Sequence, residues 1–252
     1  MSEKVPMNST KKLFTIVEEL RERNGARVSE LATSLELPKS TIHRHLKTLE
    51  KLEYVMKAGD IYYIGSQFLY VGTAVHNRET SYAHIEPRIK ELATETEERA
   101  QFMIEEHGYM VYVHRETGDH AVQTNTQLGK QMPIHATSGG KAILAEMTDR
   151  EVSDIIERHG LPAITENTIT DRDEFFDELR EIRDNGVSYN DQEYIDGLRS
   201  VSVPVIKPSG QPLGAIGISG PLNRFKGEFY RQELPNKLLG VVNEVELNMK
   251  YS

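Results

Sequence analysis

Cysteine is absent from this 252-residue sequence, so neither a disulfide framework nor a thiolate metal site can form. Long apolar runs are absent too. Nowhere do about 18 apolar residues follow one another, the length a membrane-crossing helix needs. The stretch MSEKVPMNSTKK at the start has no apolar core of the kind a secretory signal carries. There is no internal repeat and no low-complexity segment. Charged residues make up 27% of the chain and mean hydropathy is −0.51, the balance of a soluble globular protein rather than a membrane span or a disordered chain. A cytoplasmic protein with no membrane partner is expected. The length allows one large domain or two modest ones, with ample core in either case.

Basic charge is also scarce. The net charge of −9 argues, taken alone, against a nucleic-acid partner. Its distribution reverses that argument. Residues 1–78 hold 12 Lys and Arg against 9 Asp and Glu, while the remainder holds 18 against 30. A weakly basic module is joined to a strongly acidic one, and the acidic part would repel a polyanion and confine contact to the first module.

The stretch that organises the first module is RVSELATSLELPKSTIHRHLKTLEK, residues 27–51. It predicts two short helices and a tight turn. The first, over 28–35, has Ser29 placed as N-cap and Leu31, Ala32 and Leu35 on one apolar face. Glu36-Leu37-Pro38 breaks it, because a residue before proline is pushed out of the helical region. Pro38 then falls in the first turn of a second helix, where its missing N–H costs little. That helix, over 39–51, sets Ile42, Leu46 and Leu49 on one buried stripe and turns Lys39, Ser40, Thr41, His43, Arg44 and Lys47 outward. Short hydroxyls and long cations suit phosphate oxygens and base edges, so a DNA-contacting helix-turn-helix is predicted over a hairpin with a merely solvated face. Residues 53–56, the turn Ala58-Gly59-Asp60 and residues 61–64 predict the two strands of a wing. Strand alternation puts one of Tyr62 and Tyr63 in the core. Upstream, Ser9 or Thr10 can cap a helix carrying Leu13, Ile16, Val17 and Leu20 on its apolar stripe and stopped at Asn24-Gly25.

Residues 65–76 read as a helix with Phe68, Leu69, Val71 and Val75 apolar, bulky enough to pack on a partner such as the same helix of a second subunit. A helix over 82–98 carries Ile85, Ile89, Leu92 and Ala93. Residues 101–104 and 109–114 predict strands around Glu106-His107-Gly108, and 120–124 a third. Residues 132–145 read as a strand end, a small-residue loop at Ser138-Gly139-Gly140 and a helix start. Helices over 149–159 and 172–184 follow, the latter stopped by Asn185-Gly186. Residues 200–206 and 213–219 form a hairpin across Lys207-Pro208-Ser209-Gly210-Gln211-Pro212. An amphipathic helix over 230–250 closes the chain. This order predicts an α+β protein, with helices packed on an antiparallel sheet. The organisation expected is a winged helix-turn-helix at 1–65, a linker helix at 66–80 and a second domain at 81–252. Met103 and Met110 are read as core filler.

Together these segments resemble a known family. The winged helix, the linker helix, IHATSGGKAILA at 134–145 and GVSYNDQEYIDGLRSVSVPVIKPSGQPLGAIGISGPLNRF at 186–225 are similar to IclR-type transcriptional regulators, in the family's order and over nearly the whole chain. The resemblance implies a GAF-like effector-binding domain, homodimers or dimers of dimers, and control by a small metabolite, often a carboxylic acid. It implies a pseudo-palindromic double-stranded DNA operator read by paired modules. No catalytic step and no cofactor are called for. Carried over by motif, the effector residues fall on Ser138 and Gly139, whose N–H groups at a helix start suit a carboxylate. They fall also on Asn190 and Asp191 of an acidic loop, with Glu193 just beyond, and on Ser200, Gly217 and Ser219 of the last hairpin; the resemblance also lets strand residues near the pocket, such as Met103 and Met110, line it. The sequence departs from the family pattern in Asn190 for an acid, Ser200 for cysteine and Gly217 for serine, the last expected to leave extra room. These departures keep open a ligand-independent DNA binder with a degenerate pocket.

Other chemistries read less well. Ser138-Gly139-Gly140-Lys141 fits S-x-x-K, in which Lys141 would deprotonate Ser138, and Ser188-Tyr189-Asn190 imitates the second motif of such acyl hydrolases. Their third motif, K-T-G, is absent, and such folds are not usually fused to a DNA-binding module. Gly139-Gly140-Lys141 is no phosphate loop, since His135 stands where the first glycine is required. Nine histidines invite a metal site at His107, His114, His120 and His135, but their spacing lacks a helical ligand pattern and no metal is expected.

Overall fold

The computed structural model describes residues 5–122 and 127–251. Its contacts divide the chain into two units, Met1–Arg78 and Glu79–Ser252.

The first unit contains α1 (Asn8–Glu22), β1 (Ala26–Arg27), α2 (Val28–Ser34), α3 (Lys39–Lys51), β2 (Val55–Ala58), β3 (Ile61–Ile64) and α4 (Gln67–His76). The strands form a small antiparallel sheet in the order β1-β3-β2. Ile16, Leu20, Leu31, Ile42, Leu46 and Tyr62 are buried in one core, so Tyr62 is the inward tyrosine of the wing. Three helix starts differ from expectation. Ser9 and Thr10 lie inside the first turn of α1, whose N-cap is Met7. Ser29 lies inside α2, which is capped at Arg27, its N–H held by the Glu30 carboxylate at 2.6 Å. An acid three residues on from the cap satisfies the exposed donor from the other side. Pro38 precedes α3 as its N-cap rather than entering its first turn. The wing starts at Val55 and not at residue 53, because Glu53 is in the left-handed region with φ 65°. β1 is a two-residue strand, too short to show as a periodicity. α4 buries none of its residues in this unit; Phe68 meets Tyr54 edge-on at 4.8 Å, while Leu69 and Tyr70 are 74% and 73% exposed.

The second unit starts with α5 (Tyr82–Thr96), β4 (Arg99–Glu106) and β5 (Tyr109–Thr117). Then come β6 (Gln131–Pro133), a 3-10 turn (Ile134–Ala136), α6 (Ser138–Ala145), α7 (Asp149–His159) and α8 (Arg172–Asn185). β7 (Ser188–Asp191), β8 (Leu198–Ile206), β9 (Pro212–Pro221), a π turn (Phe229–Glu233) and α9 (Leu234–Tyr251) complete it. The sheet is antiparallel, in the order β6-β5-β4-β9-β8-β7. Strand alternation divides its side chains between two cores. Phe102, Ile216 and Ile218 join Ile89 of α5 and Leu238 of α9, while Met103 and Ala215 join Leu144 of α6 and Phe175 of α8.

Three local readings are corrected here. Ser138-Gly139-Gly140 is the first turn of α6 and not a loop, with Thr137 as N-cap accepting from the Gly140 N–H at 3.2 Å. Asn190 and Asp191 lie on edge strand β7, paired with Ser200 and Arg199, and not in a loop. Of the strand expected at 120–124, residues 120–122 are turn and irregular chain, and residues 123–124 lie outside the described residues. Among the described residues no helix is long and apolar enough to cross a membrane.

Candidate functional site

A cavity of about 60 Å³ opens between the first turn of α6 and the sheet. Ser138, Gly139, Asn190, Ser200 and Ser219 line it; Asp191 and Gly217 do not. Met103, Met110 and Met132 supply apolar wall, so the two methionines read as filler are also lining.

The small hydroxyls form a chain. Ser138 Oγ lies 2.7 Å from Ser200 Oγ and 2.8 Å from Ser202 Oγ. Each hydroxyl has one proton to donate. Ser202 is 1% exposed, and Ser138 is its side-chain partner among the described residues. Either oxygen of each pair can donate, so the three hydroxyls form one chain, and its Ser200 end lines the cavity. Gly217 pairs with Ser202 across β8 and β9. A Cβ added at Gly217 would sit 2.2 Å from Ser202 Oγ. The extra room expected at Gly217 does not exist, because the Ser202 hydroxyl occupies it.

Asn190 is a strut. Its amide Nδ2 donates to the Ala136 carbonyl at 2.6 Å and its Oδ1 accepts from the Glu193 N–H at 3.2 Å. A carboxylate has no proton to give to Ala136, so at this position the amide does what an acid could not. Asp191 points elsewhere and is gripped by the Arg199 guanidinium at 2.7 and 2.8 Å, which holds its carboxyl below the usual range.

The cavity also carries cations that no sequence motif marked. Arg99, on β4, is 4% exposed and lines the cavity, as does Arg199 on β8. The Arg99 guanidinium donates to the Val122 carbonyl. Burial, then the charge of Arg115, lowers its pKa, although a guanidinium stays protonated at neutral pH. Gln101 follows two residues along the same strand and donates to Ser219 Oγ at 3.4 Å. Burial pushes the Tyr112 phenol up to about 12, so it faces the cavity neutral. The available signal was polar alternation at Arg99 and Gln101 on a strand whose other face is apolar.

Behind the first turn of α6, Lys141 is 1% exposed and donates to Glu193 at 2.7 Å and Glu178 at 2.8 Å. The Lys141 ammonium is thus bound to carboxylates, and the Ser138 hydroxyl to serines. Burial raises the Glu193 carboxyl above its usual range even with the ammonium beside it. Among the described residues no group of three or more His, Asp or Glu side chains could hold a metal ion.

In the first unit, α3 presents Lys39, Ser40, His43, Arg44 and Lys47 exposed and Thr41 half-buried. None of the six belongs to the buried stripe of Ile42, Leu46 and Leu49. Lys47 is bound to Glu50 at 2.7 Å, which raises its pKa. His45, not singled out from the sequence, is partly buried, and burial, then Arg44 and Lys12, lowers its pKa.

Comparison with known proteins adds the last observation. The family model described as "Bacterial transcriptional regulator IclR C-terminal" matches residues 73–246, and "IclR helix-turn-helix domain" matches residues 9–59. The transcriptional repressor IclR of Escherichia coli (strain K12) is 28% identical over 214 residues, 83% of this chain and 78% of that protein. The HTH-type transcriptional regulator KdgR of the same organism is 27% identical over 224 residues, 88% of this chain and 85% of that protein. The crystal structure of the Thermotoga maritima IclR superposes with a TM-score of 0.82 at 24% identity, covering 96% of this chain and 99% of that one. Its likeness is one of fold.

Proposed function

The chain belongs to the IclR family of transcriptional regulators, with a DNA-binding helix-turn-helix and a C-terminal effector domain, and we propose that its effector is a small carboxylic acid held in the cavity at the start of α6. One observation carries this reading. Among the described residues no Asp or Glu lines the cavity, although the unit is strongly acidic, and two arginines do: the buried Arg99, and Arg199, which is paired with Asp191. The first-turn N–H groups of α6 and the Ser200 hydroxyl add donors where an anion would lie. The volume suits a molecule of a few heavy atoms, well above the roughly 15 Å³ one water needs. A buried arginine, a helix start and a hydroxyl around one space speak against a degenerate pocket. The test is a thermal-shift titration of the full chain with acetate, lactate and pyruvate against acetamide, lactamide and pyruvamide. A saturable rise with an acid and none with its amide supports the reading; equal responses overturn it.

On the DNA side, α3 is the reading helix, entering a major groove of a pseudo-palindromic operator. Lys39, Arg44 and Lys47 take phosphates, and Ser40, Thr41 and His43 lie nearest the bases. A DNA-bound role goes with a cytoplasmic location. The two central cations are not equivalent. Arg44→Ala is expected to weaken binding about tenfold and to reduce the slope of log affinity against log salt by about one. Lys47→Ala is expected to do less, because Lys47 must first leave Glu50. Anisotropy titrations on a selected genomic fragment at several salt concentrations measure both. A larger loss from Lys47→Ala would contradict this placement of the helix.

The protein works as a homo-oligomer, a dimer or a dimer of dimers. The support is α4, whose Leu69, Tyr70, Val71 and Val75 are exposed in a single chain. Large apolar side chains exposed around a helix in this way mark an association surface. The double variant Leu69→Glu/Tyr70→Glu is expected to sediment as a smaller species than the wild type and to lose operator affinity. Unchanged sedimentation would remove α4 from the interface.

A further inference from the structure

A second cavity, of about 180 Å³, has a different chemistry. Tyr109, Ile134, Leu144, Ile155 and Phe175 form much of its wall, and among the described residues no Asp, Glu, Lys or Arg lines it. The ionisable groups among these lining residues, besides Tyr109, are two imidazoles. His159, at the end of α7, accepts or donates through Nε2 at 2.9 Å from the His107 carbonyl; a carbonyl can only accept, so Nε2 carries the proton. Its ring stands edge-on to Tyr109 at 4.6 Å and lies over Gly108. A Cβ added there would be 2.4 Å from His159 Nε2, and the position has φ +82°, so the turn needs glycine twice over. His135, 4% exposed, binds the Pro162 carbonyl at 3.1 Å in the same sense. Burial, then the charge of Lys141, lowers its pKa, so it faces the cavity neutral.

These two bonds tie the end of α7 to the β4–β5 turn, and the chain after α7 to the 3-10 turn before α6. Apolar wall of this kind gains by meeting an apolar ligand instead of water. A charged ligand would have no counter-charge in it. We propose that this cavity is a second small-molecule site, for a neutral cyclic compound about the size of phenol. Its ring would pack against the aliphatic and aromatic wall, and its single hydroxyl would donate to an imidazole Nδ1. The site adjoins the first cavity through one stretch of chain. Ile134 and His135 wall the second, and Thr137, Ser138 and Gly139 wall the first. Occupancy of either therefore bears on the same turn. The inference does not depend on what the first cavity binds.

The probe is phenol, titrated into the full-length protein by calorimetry. Saturable binding is expected for the wild type. Leu161→Trp and Ile156→Phe each fill the space from a partly exposed position, and each is expected to weaken phenol by about tenfold or more. Arg99→Gln, which alters the other cavity, is expected to leave phenol affinity within about twofold and to bind benzoate at least about tenfold more weakly than phenol. Thermal melts of each variant establish that it is folded. No saturation up to millimolar phenol, undiminished binding in both filled variants, loss of phenol binding in Arg99→Gln, or benzoate binding as well as phenol in that variant would each overturn the proposal.

Discussion

Lys141→Met is expected to destabilise the second unit by about 3–5 kcal/mol, the usual cost of removing one partner from a buried ion pair. The ammonium is 1% exposed and lies between Glu193 and Glu178, whose side chains are 8% and 28% exposed. Methionine matches the stem of lysine in length, so little of the loss is packing. What remains is the Glu193 carboxylate, buried with no counter-charge, and such a group costs more than the intact pair contributes. Two further results separate this account from simple misfolding. The double variant Lys141→Met/Glu193→Gln removes both charges and is expected to recover most of the loss. The single variant should also respond to pH with a definite sign. The folded pKa of Glu193 is already raised by burial, and without Lys141 it rises further. A group whose folded pKa is raised contributes its stability fully below the unfolded pKa and loses it as pH rises through the folded pKa. The deficit of Lys141→Met against wild type should therefore shrink as the solution is acidified towards the ordinary carboxylate range. Urea midpoints of wild type, single and double variants at neutral and mildly acidic pH decide it. A deficit independent of pH, with no recovery in the double variant, would assign the effect to shape.

The other large effect is expected at Arg99. Arg99→Gln should lower affinity for the carboxylate effector by at least about 2 kcal/mol, roughly thirtyfold, because a buried charge pair loses one partner while the anion remains. Arg99→Lys should restore part of the loss, since a point charge replaces the fork without its paired geometry. Calorimetric titration with whichever acid raises the melting temperature reads both variants. Parallel thermal melts separate binding from folding, which matters because Arg99 also holds the Val122 carbonyl. If Arg99→Gln bound the acid as tightly as wild type, the anion would have to sit against α6 and Arg199 alone.

Much of the fold was legible beforehand, and the reason is local. The face of α3 follows from a 3.6-residue period that sets Ile42, Leu46 and Leu49 opposite Lys39, His43, Arg44 and Lys47. The wing follows from two short β-rich runs about Gly59, and the α+β order of the second unit from runs of strand and helix period. The caps were less legible. Ser29 is a better N-cap by type than Arg27, but Glu30 reached back to the Arg27 N–H and moved the start of α2.

By itself, then, the sequence determined the two-part organisation, the helix-turn-helix with its polar face, and the family through its two long motifs. Each of these rests on residues near one another in the chain. Only the tertiary structure decided who shares the cavity. It brought Arg99 of β4 and Arg199 of β8 to the start of α6, placed Ser202 in the space expected at Gly217, and turned Asn190 into a strut on an edge strand. It also drew Asp191 away to Arg199 and built a second, uncharged cavity behind His135. The physical reason is strand register. A shift of one residue sends every side chain of a strand to the opposite face, and register is set by packing across the whole sheet rather than by any local run of residues.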